Sequence, residues 1–191
     1  MDQPEVVWVA EYRRGNADAL GRLVEHTRRP LFGFILRMME GHADAEEVFQ
    51  EVWFRAIRHI DQFRDRSFLS WLFRIAHNLV IDRARRARPA VDLEAGAGED
   101  GNAIENRVVS PAPSPDGVAA GRDLGRRIAE AVKRLPVEQR EVFLMRTEGD
   151  IPFKEIARIQ GTSINTALAR MQYALNKLRT DLQSDYESLH R

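Results

Sequence analysis

Apolar residues recur every three or four positions along most of the chain, and no stretch alternates with the period of two that marks a half-buried strand. The pattern predicts an all-α protein. Helices are expected near 4–14, 17–39, 43–60 and 67–87, and again near 119–134, 137–148, 152–160 and 163–183. Asn16 is placed to cap the second helix, and Pro30, lacking an N–H, predicts a bend within it. Gly149, Pro152 and Gly161 punctuate the later helices.

The pattern fails in one place. Residues 89–121 hold five glycines, four prolines and few large apolar side chains, too few to offset the entropy of ordering them. They are expected to be a flexible linker between two small helical domains, 1–88 and 122–191. At 191 residues, each domain can bury a modest core.

Charge sharpens this division. The formal net charge is zero, but residues 89–121 carry one arginine and six acids, so the linker is acidic. Residues 40–51 hold five acids and no Lys or Arg, whereas 64–88 hold seven arginines and two acids. Charge sorted in this way points to different partners at different surfaces. With no cysteine, disulfides and thiol chemistry are excluded. The five histidines are far apart in sequence, and no metal or cofactor is expected. "GAGEDG" at 96–101 has the letters of a dinucleotide loop, but no strand precedes it and its acids would repel a pyrophosphate. No nucleophile–base pair or phosphate loop stands out, so an enzyme is not expected. With no long apolar run and no leader-like start, a cytoplasmic chain without membrane insertion is expected.

Plotted at about 100° per residue, three helices show distinct outer faces. In 67–87, Phe68, Leu69, Leu72, Ile75, Ala76, Leu79 and Val80 share one arc, leaving Ser67, Trp71, Arg74, Asn78, Asp82 and Arg85 opposite. An outward aromatic with arginines suits unpaired nucleic acid, the cations meeting phosphate and the ring stacking on a base. The alternative is a tryptophan packed under the preceding loop beside a solvated basic face. In 43–60, Ala45, Phe49, Val52, Trp53, Ala56 and Ile60 turn inward, while Asp44, Glu47, Gln50, Glu51 and Phe54 project outward. A phenylalanine ringed by acids fits docking onto a basic protein surface; the alternative is simple pairing of Glu47 and Glu51 with Arg55 and Arg58. Over 152–179, a short helix, a turn at Gly161 and a second helix form a helix-turn-helix pattern, with small Ala157 permitting a close crossing. Its inner arc is expected to be Ile164, Ala167, Leu168, Met171, Leu175 and Leu178, leaving Ser163, Asn165, Thr166, Arg170 and Tyr173 for base edges and phosphates.

"DAEEVFQEVWFRAIRHIDQFR" followed by "SFLSWLFRIAHNLVIDRARR" resembles region 2 of the bacterial sigma-70 family, in the small extracytoplasmic-function (ECF) group. "LPVEQREVFLMRTEGDIPFKEIARIQGTSINTALARMQYALNKLR" is similar to region 4. The likeness spans about 20–88 and 122–183. It implies a sigma factor that binds core RNA polymerase, directs it to promoters and helps melt the −10 element. Asp44, Glu47, Gln50, Glu51 and Phe54 would meet the clamp coiled coil of the largest subunit, and the C-terminal domain would meet the flap region. Arg64, Arg66, Ser67, Phe68, Trp71, Arg74, Asn78 and Arg85 would hold the −10 element single-stranded. Ser163, Asn165, Thr166, Arg170, Tyr173 and Lys177 would read the duplex −35 element, and an anti-sigma factor would be a further partner. Leu168 and Ala169 depart from the Lys-Ser pair the family often has there. The rival reading, a stand-alone helix-turn-helix regulator, leaves the acidic face and Trp71 without a role.

Overall fold

The computed structural model describes residues 4–64, 67–87 and 125–189, the side chains of Ala87 and 184–189 excepted; the acidic segment 89–121 lies outside them. Among the described residues the regular structure is helical. The first domain comprises α1 (Pro4–Arg13), α2 (Asp18–Met38), α3 (His42–His59), a 3₁₀ turn (Ile60–Gln62) and α4 (Phe68–Ala87). The second comprises α5 (125–133), α6 (Val137–Gly149), α7 (Phe153–Ile159) and α8 (Ile164–Leu189).

The second helix is the spine of the first domain. Its Leu23, Leu31, Phe34 and Ile35 are fully enclosed, and buried Thr27 is satisfied by donating from Oγ1 to the Leu23 carbonyl, 2.8 Å away. α2 continues as helix through Pro30. Asn16 acts one residue earlier than expected: Ala17 is the N-cap, and Asn16 Oδ1 accepts from the Asp18 N–H in an Asx turn. The guanidinium of Arg13 reaches the carbonyls of Ile60 and Phe63, tying the end of α1 to the 3₁₀ turn. Ser67 caps α4 by accepting from the Ser70 N–H at 3.2 Å.

In the second domain, α6 ends at Asp150, which takes the left-handed conformation and passes the chain to buried Ile151. Gly161 supplies the positive φ in the turn between α7 and α8, and the Thr162 N–H donates to the Ala157 carbonyl.

The two domains are packed on one another. α6 lies along α2 and also touches α4, and α7 meets α4, so the apolar interior runs continuously through both. The sequence treats Gly149 as a helix breaker, but here it permits approach. A Cβ on it would stand 2.7 Å from Cζ of Phe73, well inside contact distance. Phe73 is fully buried although the helical plot left it outside the inner arc, because a second domain covers that side of α4.

Candidate functional site

The acidic face forms where α3 crosses α4. Phe54 is 63% exposed, and Asp44, Glu47 and Gln50 are exposed around it. Glu51 does take the helical pairing, to Arg55 at 2.7 Å, but Glu47 does not. Instead Arg83 of α4 holds Glu47 at 2.5 Å and Asp44 at 3.5 Å, fixing both acids from the neighbouring helix. An open groove of about 510 Å³ lies between Glu47, Gln50, Phe54, Leu79 and Arg86. The sequence reading missed Arg83, which lines this groove and holds its acids in place. The inward side holds Ala45, Val48, Val52, Trp53 and Ala56, with Phe49 only half-buried.

Further along the same side of the α3–α4 pair, a second groove of about 270 Å³ is lined by Arg55, His59, Gln62, Trp71, Ile75 and Asn78, with Arg55 common to both grooves. Trp71 is half-buried, its ring 5.4 Å from Phe63 and 5.6 Å from Phe68. It therefore does not stand free as the helical plot suggested; the aromatic cluster braces it with one edge on the groove. Phe68, expected among the nucleic-acid contacts, is 1% exposed and belongs to that bracing cluster. Ser67 is spent on the helix cap. Arg64 is exposed and donates to the Asp61 and Phe63 carbonyls; Arg74 is half-buried, and Asn78 and Arg85 are exposed. Arg66 lies outside the described residues.

On α8 the buried side comprises Ala167, Ala174 and Leu178, with Met171 half-buried. Ile164, Leu168 and Leu175, expected inside, are instead 45%, 43% and 48% exposed, because the helix is rotated to seat its alanines against α6 and α7. The small alanines allow the closer approach. Ser163 caps α8, its Oγ accepting from the Thr166 N–H at 3.0 Å and lying 2.8 Å from the Thr166 hydroxyl. Arg170 is half-buried and donates to Gln160 Oε1 at 2.8 Å. Asn165, Tyr173 and Lys177 remain exposed on the outer surface.

A polar chain missed in the sequence connects the domains. Glu141 of α6 is 1% exposed. Its Oε1 lies 2.7 Å from Nδ1 of His77 on α4, and its Oε2 accepts from Nε2 of Gln160 at 2.9 Å. Through Gln160 the chain continues to Arg170. Beside it, burial lowers the affinity of the Arg140 guanidinium for its proton, and the Glu141 charge opposes that shift. Among the described residues, no group of acids and histidines could hold a metal ion, and no helix is long and apolar enough to cross a membrane.

Comparison with known proteins agrees with both halves. Residues 23–89 match the family profile Sigma-70 region 2, and residues 125–178 match Sigma-70, region 4. The chain is 28% identical over 177 residues to the ECF RNA polymerase sigma factor SigW of Bacillus subtilis, covering 92% of this chain and 95% of that protein. It is 30% identical over 167 residues to the ECF factor BldN of Streptomyces coelicolor, covering 86% of this chain and 60% of BldN. In fold it is similar to CnrH, solved with the cytosolic domain of CnrY, at a TM-score of 0.69 and 24% identity over 96% of this chain and 99% of that one. It is also similar to RpoE of Bartonella quintana, solved with the anti-sigma factor NepR, at 0.64 and 23% over 86% and 97%. Two region profiles in the right order, full-length likeness to ECF factors and the shared helical architecture place this chain in the sigma-70 family, among the ECF sigma factors.

Proposed function

We propose that this ECF sigma factor binds bacterial core RNA polymerase through the acidic α3 face, opens the −10 element along α4 and reads the −35 element with α8. The supporting observation is that one helix pair carries two surfaces of different chemistry. Phe54 among Asp44, Glu47, Gln50 and Glu51 is an apolar anchor in an acidic rim, suited to the basic clamp coiled coil. The adjoining groove offers Trp71 and Asn78 beside Arg55, a ring for stacking, an amide for a base edge and a cation for phosphate. Arg64, Arg74 and Arg85 extend the positive charge towards the single strand. Asn165, Tyr173 and Lys177 are the direct −35 contacts, while Ser163, Thr166 and Arg170 hold the recognition helix in shape. The flap region would receive the second domain, and an anti-sigma factor is a further partner. The protein acts in the cytoplasm with the polymerase, as an initiation factor rather than an enzyme.

Run-off transcription with purified core polymerase, from the promoter upstream of this protein's own gene, tests the reading. Transcript should depend on added protein. Trp71→Ala with Asn78→Ala should bind core like the parent yet lower open-complex formation by about 10-fold or more, since base stacking contributes about 1–3 kcal/mol. Normal strand opening by that double variant would remove the −10 assignment.

A further inference from the structure

We infer that Arg13 of α1 is a positioning residue for strand opening, holding the Ile60–Gln62 turn and Phe63 so that the Trp71 groove keeps its shape before the single strand arrives; this rests on the −10 reading of that groove. The turn follows α3, and its residues serve the groove twice. Gln62 lines it directly. Phe63, itself buried, lies 5.4 Å from both Trp71 and Phe68 and so braces the ring offered to a base. Where the turn sits therefore decides where that ring and that wall sit.

Arg13 grips the turn from 47 residues away in sequence. Its Nη2 donates to the Ile60 carbonyl and, at 2.9 Å, to the Phe63 carbonyl, one N–H for each. Its Nε stands 3.8 Å from Asp61, whose carboxylate is 87% exposed, and so open an ion pair contributes little. The two carbonyl bonds carry the contact. They also explain why the side chain is only 30% exposed in the last turn of a surface helix, where an arginine is ordinarily free in water. Arg64 donates to the Asp61 and Phe63 carbonyls as well, at 2.6 and 2.9 Å, but it adjoins the turn in sequence and moves with it. Arg13 comes from outside, on a helix fixed to the spine of the domain. There Trp8 meets His26 edge-on at 5.4 Å, and Arg22 lies 5.7 Å over the Trp8 ring while pairing with Glu11. A groove already in its binding shape loses no affinity to ordering. One in which about a tenth of the molecules is competent binds about 10-fold more weakly.

The chain has three tryptophans, so Trp8→Phe with Trp53→Phe leaves Trp71 as the single reporter. The Trp53 indole N–H has no partner among the described residues, and its loss strands no acceptor. In that background Arg13→Ala should increase acrylamide quenching of Trp71 fluorescence. In the holoenzyme, Arg13→Ala should weaken binding to a labelled non-template strand carrying the −10 element of the protein's own promoter by about 10-fold, with affinity for core unchanged. Once Trp71→Ala is also present, Arg13→Ala should cost about 3-fold or less, because the ring it positions is gone. General loosening of the domain would give the same loss with or without Trp71. Equal losses in the two backgrounds, or unchanged quenching, would overturn the positioning role. If Trp71→Ala weakens strand binding and Arg13→Ala does not, Arg13 alone loses its role. If Trp71→Ala itself binds the strand like the parent, the −10 reading of the groove fails and takes this inference with it. Should Arg13→Ala not fold, Arg13→Lys, which keeps the charge without the guanidinium fork, enters the same comparison with the same expected signs.

Discussion

Phe54→Ala should weaken binding to bacterial core RNA polymerase by about 30- to 100-fold, or about 2–3 kcal/mol, with thermal unfolding unchanged. The ring is 63% exposed and supports little of the core, so its removal leaves the domain intact. Its value lies in being an apolar anchor within an acidic rim. Gln50→Ala with Glu51→Ala should add a smaller loss that shrinks as salt is raised, because rim charges act mainly on encounter. Titration of labelled core with parent and variants, alongside melting curves, separates the two effects. Unchanged affinity for Phe54→Ala would remove the clamp assignment.

Glu141→Ala should lower the unfolding free energy by about 3–5 kcal/mol. The side chain is enclosed and binds two partners at once, His77 from the other domain and Gln160 from its own. Its removal takes the carboxylate partner from His77, leaves Gln160 Nε2 only the Glu138 carbonyl, and opens a void in α6. His77→Ala should cost less, about 1–3 kcal/mol, because it touches only the contact between domains. Chemical denaturation of both single variants and the double variant measures the coupling. If the two effects simply add, the 2.7 Å contact carries no interaction energy.

The outward acids of α3 illustrate what local reading can and cannot reach. Helical spacing placed Glu51 opposite Arg55, and that pair forms. The same spacing offered no sign that Glu47 would be held by Arg83, 36 residues away in sequence and brought alongside only when α4 crosses α3. Trp71 shows a similar limit. Its angle on α4 set it opposite the apolar arc, yet Phe63 of the preceding turn folds back beneath it. The ring is therefore partly structural, while the residue also lines the groove.

Periodicity determined that this protein is helical, where its helices run, which face of α3 is acidic and that α7 and α8 form a helix-turn-helix, because all of these follow from residues within a few turns of one another. The tertiary structure alone decided which second faces are covered. It turned α8 so that Ala174 lies inside while Leu168 and Leu175 do not, and it enclosed Phe73 and Glu141 between domains with His77 against them. A helix records in its sequence one strongly apolar face. A contact made of a glycine, a histidine and a buried acid carries no such period, and it exists only once two distant segments have met.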